Sequence, residues 1–422
     1  MRLNKSHGPK TQRTWWSPKR ASILLVQAGL LTTSAISTPS VLADWSAFRG
    51  DGSASAAVGP ATLKVEESGN LAWKTDMPGR SVASPIVVGD LVITTSSAGP
   101  DGGHLYITAV DLNSGDVRWE QSFRATGRPF CHPTSANAAP TPVSDGKRVV
   151  AFFSSNDLAC LSIEGDLLWY RGLGHDHPKA GNDVGMAASP VIAENAVIVQ
   201  VECKGDSFAA GIHLADGTTL WEQQRNRDSN WASPLPITRS DGSTEVVMPS
   251  GQDVVAVDPR TGDVRWKLDE GRATVSSPSL SGSYLMLPGN DLLVMRTDQS
   301  GTAPKEVWRN NRFSPRNATV ASNGQTLYAL KGSVLIAGTM ADGERKWQHR
   351  LPDFGGGWAT PVVAADRIYV FDQAGNGAII ADRDDRAETV AQVELGEPVL
   401  ASPALADGKL IVRSDRSLYC FQ

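Results

Sequence analysis

The chain is poor in cysteine, has few basic residues, and lacks long apolar runs beyond its N-terminus. Only Cys131, Cys160, Cys203 and Cys420 occur in 422 residues, and no two form a CxxC pair, so a structural zinc ribbon has no ligand set. Four cysteines allow three disulfide pairings or four buried thiols, and their spacing does not choose between these. No GxSxG, HExxH, Walker loop or EF-hand pattern is present, which leaves the common hydrolase, nucleotide and calcium-loop readings without support. After residue 44 no stretch carries an apolar stripe at helical period, and none is apolar for long enough to cross a bilayer as a helix.

The scarce basic charge is unevenly placed. Arg2, Lys5, Lys10, Arg13, Lys19 and Arg20 precede an apolar stretch, Ala21 to Ile36, and then Val41-Leu42-Ala43 with small residues at the two positions a signal peptidase reads. This pattern predicts a secretory signal over 1–43, cut after Ala43, and hence a periplasmic or secreted protein; no cysteine near the cut provides a lipoprotein anchor. Without that segment the net charge falls from −5 to −11. So acidic a chain is a poor partner for nucleic acid or anionic lipid, whose affinity comes mostly from Lys and Arg. The expected partner is a protein or an unknown small ligand, and the expected state is monomeric.

What the chain does have is a period. From residue 71 one phrase returns: a small residue and Pro, two apolar runs joined by a Gly or Asp turn, then a Gly turn and a Trp. It opens at Pro85, Pro142, Pro190, Pro234, Pro278, Pro361 and Pro403, with a copy lacking the Pro at Ala318-Thr319-Val320. The spacings of 57, 48, 44, 44, 42, 41 and 42 residues are those of a four-stranded propeller blade. Short β-branched runs bounded by Gly89-Asp90, Asp145-Gly146 or Asp407-Gly408 read as strands joined by tight hairpins.

Closing tryptophans follow at Trp119, Trp169, Trp221, Trp266, Trp308 and Trp347. After Pro403 only 19 residues remain, one strand too few, while Trp73 in Leu71-Ala72-Trp73-Lys74-Thr75 has no opening phrase before it. A ring in which this N-terminal strand completes the last blade explains both anomalies and leaves no open sheet edge. The expectation is an all-β, eight-bladed β-propeller over 71–422 behind an extended segment at 44–70; seven blades with one repeat misread is the alternative.

Two copies are sharper: Ala109-Val110-Asp111-Leu112-Asn113-Ser114-Gly115-Asp116-Val117-Arg118-Trp119 and Ala256-Val257-Asp258-Pro259-Arg260-Thr261-Gly262-Asp263-Val264-Arg265-Trp266. This A-x-D-x-x-[ST]-G-x-x-x-W pattern resembles the tryptophan-docking motif of the pyrroloquinoline-quinone (PQQ) repeat family of quinoprotein-like propellers. The opening Trp45-Ser46-Ala47-Phe48-Arg49-Gly50 also resembles the W-x-x-F-R-G start of exported bacterial PQQ-like proteins. The resemblance implies one of two kinds of member. Quinoprotein alcohol dehydrogenases hold PQQ and calcium at the propeller mouth, whereas the scaffold of the outer-membrane β-barrel assembly machinery holds no cofactor. The enzymes also carry a vicinal disulfide from adjacent cysteines, and no adjacent pair exists here.

The first expectation is therefore a non-catalytic binding or scaffold protein without cofactor. The second is a PQQ- and calcium-dependent oxidoreductase, and the third a sugar- or polymer-binding module. Candidate site residues lie where the segments entering each innermost strand converge on the channel mouth: Arg80, His132, Asn137, Asn182, Asp183, Asn230, Trp231, Arg272, Arg316, Asn317 and Trp358. Such a set suits a planar or anionic ligand, by bidentate donors and stacking. It equally suits amides and guanidinium groups that satisfy backbone at blade junctions, with the indoles as packing. His175-Asp176-His177 with Asp183 offers a weaker metal-binding pattern, and Asp382 to Arg386 reads as a solvated hairpin face.

Overall fold

In the computed structural model, residues 45–64, 69–182, 184–298 and 303–422 are described; the expected secretory signal over 1–43 and the candidate Asp183 lie outside them. In each repeat the apolar runs become antiparallel strands because tight turns return the chain on itself. In blade 1, Val88 faces Leu91 across Gly89-Asp90, and Ile86–Val88, Leu91–Ala98, His104–Asp111 and Val117–Arg124 follow from channel to rim. The same order recurs from the innermost strands Val143–Ser144, Val191–Ala193, Leu235–Thr238, Ser279–Ser281, Ala321–Ser322, Val362–Ala364 and Ala404–Ala406. Among the described residues this makes eight sheets, so the seven-blade alternative is excluded. The helical content there is one turn at Leu173–Asp176 and one 3-10 turn at Asn311–Phe313.

The ring closes at its seam as the stray strand required. Leu71–Asp76 pairs antiparallel with Ser417–Phe421, setting Trp73 opposite Cys420 and Lys74 opposite Tyr419. Seven of the eight blades then dock on the next through a tryptophan; the outer strand Ala387–Glu394 of the seventh blade carries none. Indole N–H groups of Trp73, Trp119, Trp169, Trp221 and Trp308 donate to the carbonyls of Leu112, Ile163, Leu214, Pro259 and Met340, at 2.8–3.0 Å. A glycine of the receiving turn lies flat on each ring. At Gly115, with φ of 76°, an added Cβ would stand 2.7 Å from the Trp73 ring, so both the positive φ and the close approach demand glycine. Asp111 shapes that turn: the Arg118 guanidinium, then the N–H groups of Ser114 and Asn113, hold its carboxyl down to about 2.

Trp266 and Trp347 use carboxylates instead, Glu245 and Asp382 respectively. Asp382 also accepts from the buried Tyr328 hydroxyl at 2.7 Å. It is therefore a docking residue rather than part of a solvated face, since a buried indole and phenol both need an acceptor. Asp384, Asp385 and Arg386 are exposed.

The small residue before each repeat's Pro has a use beyond compactness. Backbone N–H of Ser84 donates to Thr141 Oγ1, and the relay continues through Ser189, Ser233, Ser277, Thr319, Thr360 and Ser402 back to Ser84, at 2.8–3.2 Å. Eight hydroxyls thus form a closed hydrogen-bonded circle around the channel, satisfying eight otherwise buried N–H groups. All four cysteines are free thiols; Cys160, Cys203 and Cys420 are buried and Cys131 is partly exposed. No helix among the described residues is long and apolar enough to cross a membrane.

Candidate functional site

Above the hydroxyl circle the eight entering segments enclose a cup of about 430 Å³. Every blade contributes to its wall: Val82, His132, Met186, Trp231, Val275, Asn317, Trp358 and Leu400, in blade order. The floor holds six hydroxyls of the circle and the ring of Phe48.

Phe48 arrives on a segment that crosses the channel beneath the circle. Trp45 exchanges both backbone hydrogen bonds with Val87 in blade 1, and Ser46 O accepts from Ser144 in blade 2. The chain then reverses at Arg49 and Gly50, both at positive φ, and a Cβ added at Gly50 would stand 3.0 Å from the Trp45 ring. Arg49 is fully buried and donates to Pro278 O in blade 5. Burial lowers its pKa to about 9, the Asp51 charge opposing that shift. Beyond the reversal, Gly52, Ser53 and Ala54 offer carbonyls to Leu280, Ser322 and Val363 in blades 5, 6 and 7. Ser55–Ala56 finally adds a short parallel strand to Val362–Ala364. The W-x-x-F-R-G opening is thus a plug that ties opposite sides of the ring together and makes the channel a blind cup.

The structure distributes the candidate residues unevenly. His132, Trp231, Asn317 and Trp358 line the cup. Trp231 is fixed by its N–H to Gly185 O at 2.7 Å, whereas Trp358 is 43% exposed. Arg80 lies in a neighbouring hollow, and Arg316 is exposed outside the cup lining. Four of the polar candidates are instead buried and committed to backbone and partner groups. Asn137 bridges Gly102 O and Ser155, Asn182 bonds Glu202 O and Ser229, and Asn230 bonds Glu202 and Pro249 O. Arg272 is clamped by Glu270, Asp291 and Leu287 O. These four serve blade junctions and do not face the cup.

Sequence reasoning did not single out Phe48, the hydroxyls, or the aliphatic wall. The repeated Ser or Thr before Pro was the available signal. No three His, Cys, Asp or Glu side chains gather as a metal site among the described residues. His177 stacks on Phe208 with centroids 3.7 Å apart and meets Glu222, and Asp176 pairs with Arg171.

The donor set bears on PQQ with calcium, the group a quinoprotein fold implies. Calcium takes about six to eight oxygens, carboxylates prominent among them. No Asp or Glu is among the described residues lining the cup. The floor hydroxyls already accept backbone N–H groups. The residues present do not fit that group. What they do fit is an uncharged, apolar or aromatic moiety inserted from the mouth, because burying a charge there finds no partner.

The family model described as outer membrane protein assembly factor BamB matches residues 34–201 and 179–349. Two curated relatives carry that name. The one from Yersinia pestis is 23% identical over 334 residues, 75% of this chain and 77% of the relative; the one from Moranella endobia (strain PCIT) is 24% identical over 209 residues. The latter match spans 48% of this chain and 46%, about half, of that relative's length. Among solved structures, BamB from Moraxella catarrhalis superposes with a TM-score of 0.64 at 16% identity, covering 83% of this chain and 97% of that one. Quinohemoprotein alcohol dehydrogenase from Comamonas testosteroni superposes at 0.66 with 12% identity, covering 90% and 80%. At such identities the structural likenesses speak to the fold alone.

Proposed function

Since the chain belongs to the PQQ-like propeller family described as outer membrane protein assembly factor BamB, we propose that it is a non-catalytic scaffold for a protein partner outside the cytoplasm, serving outer-membrane protein assembly. The observation that carries the scaffold reading is the cup. It is built by all eight blades and sealed below by Phe48; its described lining holds no carboxylate, ammonium or guanidinium group, and its one imidazole, His132, is exposed, with its Nδ1 held by Thr134 and no carboxylate in the lining to orient it as a base. An apolar pocket with two indoles anchors a partner's side chain in the way interface hot spots do. The exported location draws on the secretory pattern at 1–43 and on the relatives.

Depletion of the protein in its own cells tests this reading. The expected result is a loss of folded β-barrel proteins from the outer membrane, measured by heat-modifiable gel mobility, with restoration by the full chain. Unchanged barrel levels on complete depletion would overturn the assembly role.

A further inference from the structure

Beside the cup lies a second, larger hollow of about 710 Å³, and its chemistry is opposite. Arg80, Arg128 and Arg416 line it, against the single carboxylate of Asp101. The three guanidinium groups come from the segment entering blade 1, the long segment entering blade 2, and the turn between two strands of blade 8. Arg80 is held in place by both oxygens of Asp415, at 2.9 and 3.0 Å, and by Pro133 O. Arg128 lies over the half-exposed Phe130 ring, 4.7 Å from its centroid, and makes no ion pair among the described residues. Arg416 stands 4.0 Å from Asp415 with its side chain 69% exposed. In a chain of net charge −5, this concave cluster sets three cations against the carboxylates of Asp101 and Asp415, leaving one positive charge in excess with Arg128 unpaired among the described residues, and it is shaped for carboxylates, which match the guanidinium fork.

His132 and Ser135 line both hollows, so one ligand can occupy the two at once. We infer that the mouth binds an extended, acidic polypeptide segment whose aromatic or large apolar side chain fills the cup while neighbouring carboxylates lie on Arg80, Arg128 and Arg416. A free inorganic anion would leave the apolar cup empty, and an uncharged ring would leave the arginines unmatched; a ligand with both parts uses the whole surface, and of such ligands a polypeptide needs no accompanying calcium, for which the described cup lining offers no carboxylate. A polyanion such as nucleic acid is disfavoured by the acidic body around the cluster. The inference rests on the reading of the chain as a protein-binding scaffold and specifies what its mouth recognises.

The test is titration of the full mature chain with acetyl-Phe-Gly-Asp-Asp-amide, followed by tryptophan fluorescence and calorimetry. Control peptides replace Phe by Ala, or both Asp by Asn, and inorganic phosphate is a third control. The expected result is saturable binding of the parent peptide, with each control about tenfold weaker or worse, the worth of one good charge-assisted contact or buried ring. Arg128→Ala should weaken the parent peptide to the level of the Asn control, and Trp358→Ala to that of the Ala control. A readout on the unmutated chain is maleimide labelling of Cys131, which lines the arginine hollow and is the one partly exposed thiol. The parent peptide should slow it and the Ala control should not. Absence of saturation, equal binding of the Asn control, or protection of Cys131 by phosphate as strong as by the peptide would overturn the inference. Peptide binding as expected in a protein whose depletion leaves barrel levels unchanged would remove the assembly role and leave this inference standing; the reverse outcome would remove the inference alone.

Discussion

A chain that begins at residue 77 is expected to lose cooperative folding, whereas one that begins at residue 57 keeps it at a lower denaturation midpoint. The shorter chain lacks both N-terminal devices. It loses the strand Leu71–Asp76, so Ser417–Phe421, whose side chains are all buried, becomes an open edge at the seam. It also loses the buried Trp73, and removing a buried tryptophan side chain alone costs roughly 3–5 kcal/mol. The plug is gone as well, with its hydrogen bonds to blades 1, 2, 5, 6 and 7. Against a typical net stability of about 5–15 kcal/mol, these losses together exceed what the ring can absorb. The residue-57 chain lacks only the plug. Urea unfolding followed by far-ultraviolet circular dichroism separates the cases, and a single unchanged transition for the residue-77 chain would contradict the closure described here.

The second large effect is expected at the same seam from a single side chain. Gly115→Val places branched carbons against the Trp73 ring, 2.7 Å from where a Cβ would start, at a residue with φ of 76°. The same turn holds Trp73 through Leu112 O and Thr75 through Gly115 O, so moving it away from the ring strains both hydrogen bonds. Gly146→Val is the matched control: its φ is 86°, yet an added Cβ there meets nothing within 4 Å. The control carries the backbone strain alone, about 1–2 kcal/mol. Gly115→Val adds overpacking, for a total of roughly 2–5 kcal/mol. Midpoints from chemical denaturation of both variants should differ accordingly. Equal midpoints would mean that the Gly–Trp contact does not hold the blades together.

The repeats were legible because their punctuation is chemically irreplaceable at a fixed phase. A turn with positive φ needs Gly, an inter-blade wedge needs Trp, and the count of strands at the two ends exposed the seam. The role of the Ser or Thr before each Pro was not legible, although the residue itself recurs. Its partner is the equivalent residue one blade away, so the hydrogen bond exists only once the ring has closed. Trp45 to Gly50 was readable as a resemblance but not as a plug, because Arg49 finds Pro278 and Ala54 finds Val363 across more than two hundred residues of chain. The mouth was the least legible part. Asn137, Asn182, Asn230 and Arg272 have the composition of a ligand site, and only the fold shows their side chains turned toward buried carbonyls and carboxylates. The cup's wall of Val82, Val275 and Leu400 looks in sequence like any strand approach. Asp382 carries a similar lesson: among charged neighbours it reads as surface, yet Trp347 and Tyr328 both donate to it.

We propose that this propeller of quinoprotein build takes a polypeptide at its mouth rather than a quinone. Equilibrium binding of PQQ to the purified mature protein in calcium tests it most directly, with quinone absorbance and dye reduction by alcohols as readouts. No saturable quinone binding is expected at micromolar concentration, because the described lining of the cup holds no carboxylate to ligate the calcium that accompanies PQQ. One equivalent of quinone bound per chain, with alcohol-dependent dye reduction, would contradict it.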